Sequence, residues 1–209
     1  MRSPVEFHTA CRMRLGLNVV DVATPCIRCD AKRVTTVLRD KKGHHSLCCM
    51  TGGERARLHN ELCASLIRDA SFGLLHPTAE PHSFGDGDRL DFSFKLPRGG
   101  DEILVDVALT FPMRSEAVAF AEGAPGGAAT WYEAIKRGKY GSKLGPHQQL
   151  IPLVFDTFGG AGASGRPLLD KIAVAFARRL GSRDGRMIFF TRLNNLIVSR
   201  SAAIVACQG

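Results

Sequence analysis

The stretch RLDFSFKLPRGGDEILVDVALTF at 89–111 decides the fold. From Arg89 to Lys95 apolar and polar residues alternate with a period of two, as in a half-buried strand. Pro97-Arg-Gly-Gly100 has the composition of a turn, and a second apolar run follows it, so 89–96 and 102–111 are expected to form a hairpin. In the second strand Ile103, Val105, Val107 and Leu109 share one face, and Leu104, Asp106 and Ala108 the other. Pairing about the turn sets Asp91 opposite Asp106. Asp106 lies between Val105 and Val107, where an unpaired charge is expensive and a divalent cation would compensate it. Two carboxylates about one metal suit phosphodiester hydrolysis, because the ion binds the phosphate and acidifies the attacking water. Glu80, ahead of the hairpin, is a candidate third carboxylate. Lys136 and Lys139, further on, are candidates to hold the water or to stabilise the transition state. The plainer reading makes Asp91 and Asp106 ordinary hairpin polar residues, bonded to Arg89 or Lys95.

Helical and strand patterns extend outward from this hairpin. Leu58, Leu62 and Leu66 recur four apart within 54–72, with charged residues between them, and predict an amphipathic helix. The stretch 75–82 is strand-like but interrupted by Pro77 and Pro81. Beyond the hairpin, 128–140 reads as a helix, 149–155 as a buried strand that tolerates Pro152, and 166–180 and 187–207 as closing helices. The expected class is α/β: a helix, three strands, a helix, a strand, then helices. His59 and Asn60 sit on the first helix, where a lone histidine carries little weight. Trp131 and Tyr132 read as core anchors. The glycine-rich stretches lack the Lys-Ser/Thr of a phosphate loop, which disfavours nucleotide binding.

The 209 residues carry a net charge of +8 and are 44% hydrophobic, enough for one sizeable core and too ordered a composition for a disordered chain. No apolar run approaches the roughly 18 residues that cross a bilayer, and no signal-peptide pattern opens the chain, so a soluble intracellular protein is expected. Residues 1–60 hold 11 Lys and Arg against 5 Asp and Glu, while the remainder holds 17 against 15. A basic front beside a near-neutral body points to an anionic partner. Seven cysteines, an odd number, fit a reducing compartment and a metal site better than a disulfide framework. Cys26-x2-Cys29 followed by His44-x4-Cys49 offers the four N/S ligands of a tetrahedral zinc site, with His45 and Cys48 as alternatives in the second pair. The helix-like start at 1–20 shows no convincing cap.

The order of these pieces is more specific than any one of them. C-x2-C…H-x4-C, R-x-H-N opening a helix, E-P, R-L-D, L-V-D-V and K-x-x-K-Y together resemble the C-terminal part of a site-specific, restriction-like non-LTR retrotransposon polyprotein. In that family a reverse transcriptase is followed by a Cys-Cys-His-Cys knuckle and a PD-(D/E)XK-type endonuclease. The resemblance spans about 5–180, and FHTACRMRLGL (7–17) resembles the tail after the reverse transcriptase.

The resemblance implies an upstream-domain tail at 1–21, a zinc knuckle at 22–52 and an αβββαβ endonuclease domain at 53–209. It further implies zinc on Cys26, Cys29, His44 and Cys49, and magnesium or manganese on Asp91, Asp106 and Glu80. Lys136 or Lys139 would be the downstream basic residue that stabilises the transition state. Arg57, His59 and Asn60 would contact DNA, with Lys32, Arg33, Lys41 and Lys42 of the knuckle loop. The implied activity is nicking of double-stranded target DNA in the nucleus to prime reverse transcription, with element RNA as a further partner and no membrane. Leu90 stands where the family has Pro, Leu58 separates Arg57 from His59, and Ala108 occupies the usual Lys position after the second acid. A decayed nucleic-acid-binding module and a stand-alone nuclease of the same type are the competing readings.

Overall fold

Period-two alternation at 102–110 and four-residue spacing at 54–72 call for a sheet with a helix laid on one face. The computed structural model describes residues 3–26, 29, 37–49, 51, 53–80, 84, 88–95 and 101–206. Its elements are α1 (Pro4–Arg14), β1 (Thr24–Pro25), β2 (Leu38–Arg39), α2 (His44–Cys48), α3 (Glu54–Phe72), β3 (Thr78–Ala79), β4 (Phe92–Lys95), β5 (Glu102–Thr110), α4 (Val118–Gly123), α5 (Gly127–Tyr140), β6 (Gln148–Asp156), α6 (Arg166–Leu180) and α7 (Gly185–Ala206). The fold is mixed α/β. The turn at 97–100, residues 81–83, and the candidates Lys32 and Arg33 lie outside the described residues.

A four-stranded mixed sheet runs in the order β3-β4-β5-β6. β3, β4 and β5 are antiparallel neighbours, and β5 and β6 are parallel, joined through α4 and α5. The hairpin register is the expected one: Phe92 pairs with Val105 and Lys95 with Glu102. Ile103, Val105 and Val107 face a core built from Leu62 and Leu66 of α3, Ile172 and Phe176 of α6, and Phe189 and Ile197 of α7. On the other face Leu104 meets Leu90 and Tyr140, and Ala108 meets Ala129 and Val154, so α5 covers that side. Both faces of β5 are therefore buried, which accounts for its near-continuous apolar run. Asp106 points to the α5 side.

Two expectations are corrected. The start of the chain is capped: Ser3 Oγ accepts the Glu6 N–H at 3.2 Å, and Pro4 occupies the first helical turn. Of the stretch 75–82, the described residues 75–80 contribute only the two-residue β3, flanked by Leu74, His76 and Glu80 at positive φ.

The Cys/His-rich segment does not stand apart from the body. Leu47 of α2 is buried against Phe111 and Val205. Gly43, just before α2, has φ +77°, and a Cβ there would come within 2.7 Å of Val205 Cγ1. The segment has little apolar surface of its own and borrows the body's. Ala10 of α1 likewise packs on Val198 and Ala202 of α7. Leu47→Ala should therefore destabilise the whole fold by about 2–5 kcal/mol, measured as a lower urea midpoint with unchanged slope.

Candidate functional site

Two clusters of reactive side chains stand out among the described residues. In the first, β1 and β2 pair antiparallel and Cys26 N–H bonds to Val37 O at 2.8 Å, which sets the Cys26 backbone. Asp40 then accepts the backbone N–H groups of Lys42, His44 and His45 at 3.0, 3.1 and 2.8 Å. Burial works against its charge, but these N–H bonds outweigh it and hold the Asp40 carboxyl below its usual range. The result is a fixed start to α2.

That start aims His45, not His44, at the thiols. His45 Nε2 lies 3.6 Å from Cys29 Sγ, and Cys49 Sγ lies 3.8 Å from Cys29 Sγ and 4.0 Å from Cys26 Sγ. Cys26, Cys29, His45 and Cys49 place one donor each within 4.8 Å of one another, a group able to hold a metal ion such as zinc. His44 turns the other way: its ring stacks at 5.0 Å on Phe111 and its Nδ1 lies 4.0 Å from Asp40. His44 is therefore corrected to His45. The two neighbours were equally available by spacing, and only the helical turn separates them. The Thr51 hydroxyl sits 3.0 Å from Cys49 Sγ and, against the effect of burial, helps lower that thiol.

The second cluster lines a cavity of about 390 Å³, whose walls include Arg55, His59, Asp91, Asp106, Tyr132 and Lys136. Sheet geometry explains the first acid. Beyond Phe92 the β4–β5 ladder continues with one backbone bond, Asp91 N–H to Val105 O at 3.0 Å. The Asp91 side chain then takes the next strand's donor, Val107 N–H, on Oδ2 at 2.6 Å. Its Oδ1 faces His59 Nε2 of α3 at 3.3 Å, and that nitrogen also lies 3.1 Å from Val107 O. The hydrogen bond to Asp91, aided by Cys63, pushes the His59 imidazole up to about 11 against the opposing effect of burial.

The second acid is more enclosed. Asp106 is 4% exposed, and Lys136 Nζ approaches its Oδ1 at 3.2 Å and its Oδ2 at 2.9 Å. Burial raises the Asp106 carboxyl, while the neighbouring ammonium opposes the rise; Lys136 in turn is raised, Asp106 outweighing its own burial. Asp106 Oδ2 is buried without a well-aligned hydrogen bond, so it keeps lone-pair capacity for a cation. Tyr132 and Tyr140 rings flank Lys136 at 5.9 and 5.7 Å. In donor chemistry, two carboxylates on one cavity wall fit a hard divalent ion.

The remaining candidates lie elsewhere. Glu80 contributes its backbone N–H to Asp91 O at 2.9 Å, but its side chain is 70% exposed and lies 3.6 Å from Arg89. Lys139 bonds Asp88 at 2.5 Å and Tyr140 at 3.3 Å. Neither lines the cavity. Arg57, Asn60, Lys41 and Lys42 are exposed. The sequence reading missed Arg55 and Tyr140 as cavity residues: Tyr140 was legible in K-x-x-K-Y, whereas nothing in the sequence marked Arg55. His59, Cys63 and Asp91 also cluster within 4.8 Å. Cys63 Sγ lies 3.7 and 3.9 Å from His59 Nε2 and Nδ1. Compared with known proteins, the chain matches no family model and no curated protein significantly.

Two measurements check this geometry. His45→Ala should lose the bound metal of the first cluster, read as zinc content after dialysis, whereas His44→Ala should retain it. His59 should stay protonated at pH 8 by NMR of its ring, and Asp91→Asn should return it toward 6.5. Because its folded value is raised, its stabilising contribution is complete below about 6.5 and is lost as pH climbs toward 11.

Proposed function

We propose that the chain is a metal-dependent DNA endonuclease of the restriction-like type, with a zinc knuckle ahead of it. One observation carries the reading: Asp91, Asp106 and Lys136, from just before β4, the middle of β5 and the inner side of α5, line a single cavity. The sequence order of helix, three strands, helix and strand agrees with the αβββαβ core of such nucleases, and α4 is an addition between β5 and α5. Magnesium or manganese, when bound by Asp91 and Asp106, would supply charge neutralisation at the scissile phosphate and a more acidic water.

The chain's own residues have definable parts in this reaction. Lys136 brings a cation to the site from α5, the helix position to which the lysine of D-x-K is displaced given Ala108, and opposes charge growing on the phosphate. Arg55 and Arg89 on the cavity walls present guanidinium groups suited to phosphate oxygens. Lys41, Lys42 and Arg57, all exposed, add attraction for the backbone of duplex DNA. In this reading the product is a nick whose 3′-hydroxyl primes reverse transcription in the nucleus. A reverse transcriptase upstream in the same polyprotein and the element RNA are the implied partners. A second reading, binding without cleavage, rests on the Asp106–Lys136 ion pair, which offsets the charge of the acid without any metal.

Nicking of supercoiled plasmid separates the two. Magnesium should support it, EDTA should abolish it, Asp106→Asn should eliminate it and Lys136→Met should slow it roughly 10²-fold or more. Salt-sensitive binding with no nicking, unaffected by Asp106→Asn, would establish the binding module instead.

A further inference from the structure

We propose that His59 is a positioning residue that sets the Asp91 carboxylate, rather than a DNA contact; the inference rests on the nuclease reading above. The R-x-H-N resemblance put His59 on DNA together with Arg57 and Asn60, but the ring is committed elsewhere. Its Nε2 faces two acceptors, Asp91 Oδ1 at 3.3 Å and Val107 O at 3.1 Å, and therefore donates. Its Nδ1 lies 3.2 Å from Asn60 Oδ1 on the same helix. Cys63 Sγ lies 3.7–3.9 Å from both nitrogens. No ring nitrogen remains for a base edge or a phosphate.

The geometry at Asp91 explains why such a partner is needed. At the carboxylate, the Val107 N–H donates to Oδ2 at 2.6 Å, and Cys63 Sγ lies within 4.8 Å of an Asp91 oxygen. With that backbone bond alone the carboxylate can pivot about the Oδ2 contact. His59 removes the pivot, because it is anchored to the C=O of Val107, the residue whose N–H holds Oδ2. The two oxygens are thus fixed to the N–H and, through the imidazole, to the C=O of one residue of β5. Since β5 also carries Asp106, one residue before Val107, the two acids are fixed relative to one another. Outer partners that orient a ligating carboxylate change metal affinity or activity by about 10–100-fold when removed.

The test uses the full zinc-loaded chain and compares wild type, His59→Ala and His59→Gln, the last keeping an N–H donor of similar reach. Manganese affinity is measured by calorimetry without DNA, nicking against magnesium concentration, and DNA affinity in EDTA. His59→Ala should weaken manganese binding or raise the magnesium requirement by about 10–100-fold with unchanged DNA affinity, and His59→Gln should recover most of the loss. Should His59→Ala not fold, His59→Asn, whose amide is too short to reach Asp91, carries the same expectation. A fall in DNA affinity with unchanged metal dependence, or no change in either, overturns the inference while leaving the nuclease reading standing. Wild-type protein that neither binds manganese nor nicks DNA overturns that reading, and this inference with it.

Discussion

Asp106 holds its carboxylate inside β5, covered by α5 on one side and flanked by apolar residues of the strand on both, at 4% exposure. An ion so placed costs several kcal/mol unless a cation stands beside it. Lys136 answers that need from α5, and it is itself buried enough to depend on the acid in return. Much of the surrounding architecture serves this pair. Two tyrosines of α5 flank the ammonium, the ladder frays next to it so that Asp91 can turn inward, and α3 supplies His59 from the opposite face. A fold optimised only for stability would put an apolar residue at position 106. Keeping the charge there is one reason the proposed function is placed at this cavity.

The knuckle segment and the body share one packing system. Leu47 fills space against Phe111 and Val205, and Arg55 bonds both Cys48 O, next to the thiol cluster, and Leu109 O of β5 at 3.4 and 3.3 Å. Both Leu47 and Arg55 line the cavity that holds the acids. The Cys/His cluster and the cavity with the two acids are thus joined through a few residues.

Legibility followed the physics of each signal. Strict alternation and a turn with defined ends make the hairpin register readable, and with it the placement of Asp91 opposite Asp106. Leucines four apart made the helix at 54–72 readable, and 166–180 was readable as a closing helix. Choices between adjacent residues were not readable, because sequence spacing cannot say which of His44 and His45 a helical turn points inward. Glu80 and Lys139 had the right charge at plausible spacing, but each found a nearer opposite charge, Arg89 and Asp88. His59 looked bland for a different reason: its partners come from two strands some 32 and 48 residues away, and nothing local announces them.

The central claim is that Asp91 and Asp106 together make a divalent-cation site beside Lys136. Anomalous diffraction from crystals soaked in manganese tests it directly. The account predicts a single strong peak in this cavity within coordination distance, roughly 2.0–2.2 Å, of oxygens from both carboxylates. Full manganese in the soak with no peak there, or a peak bound by neither acid, would contradict it.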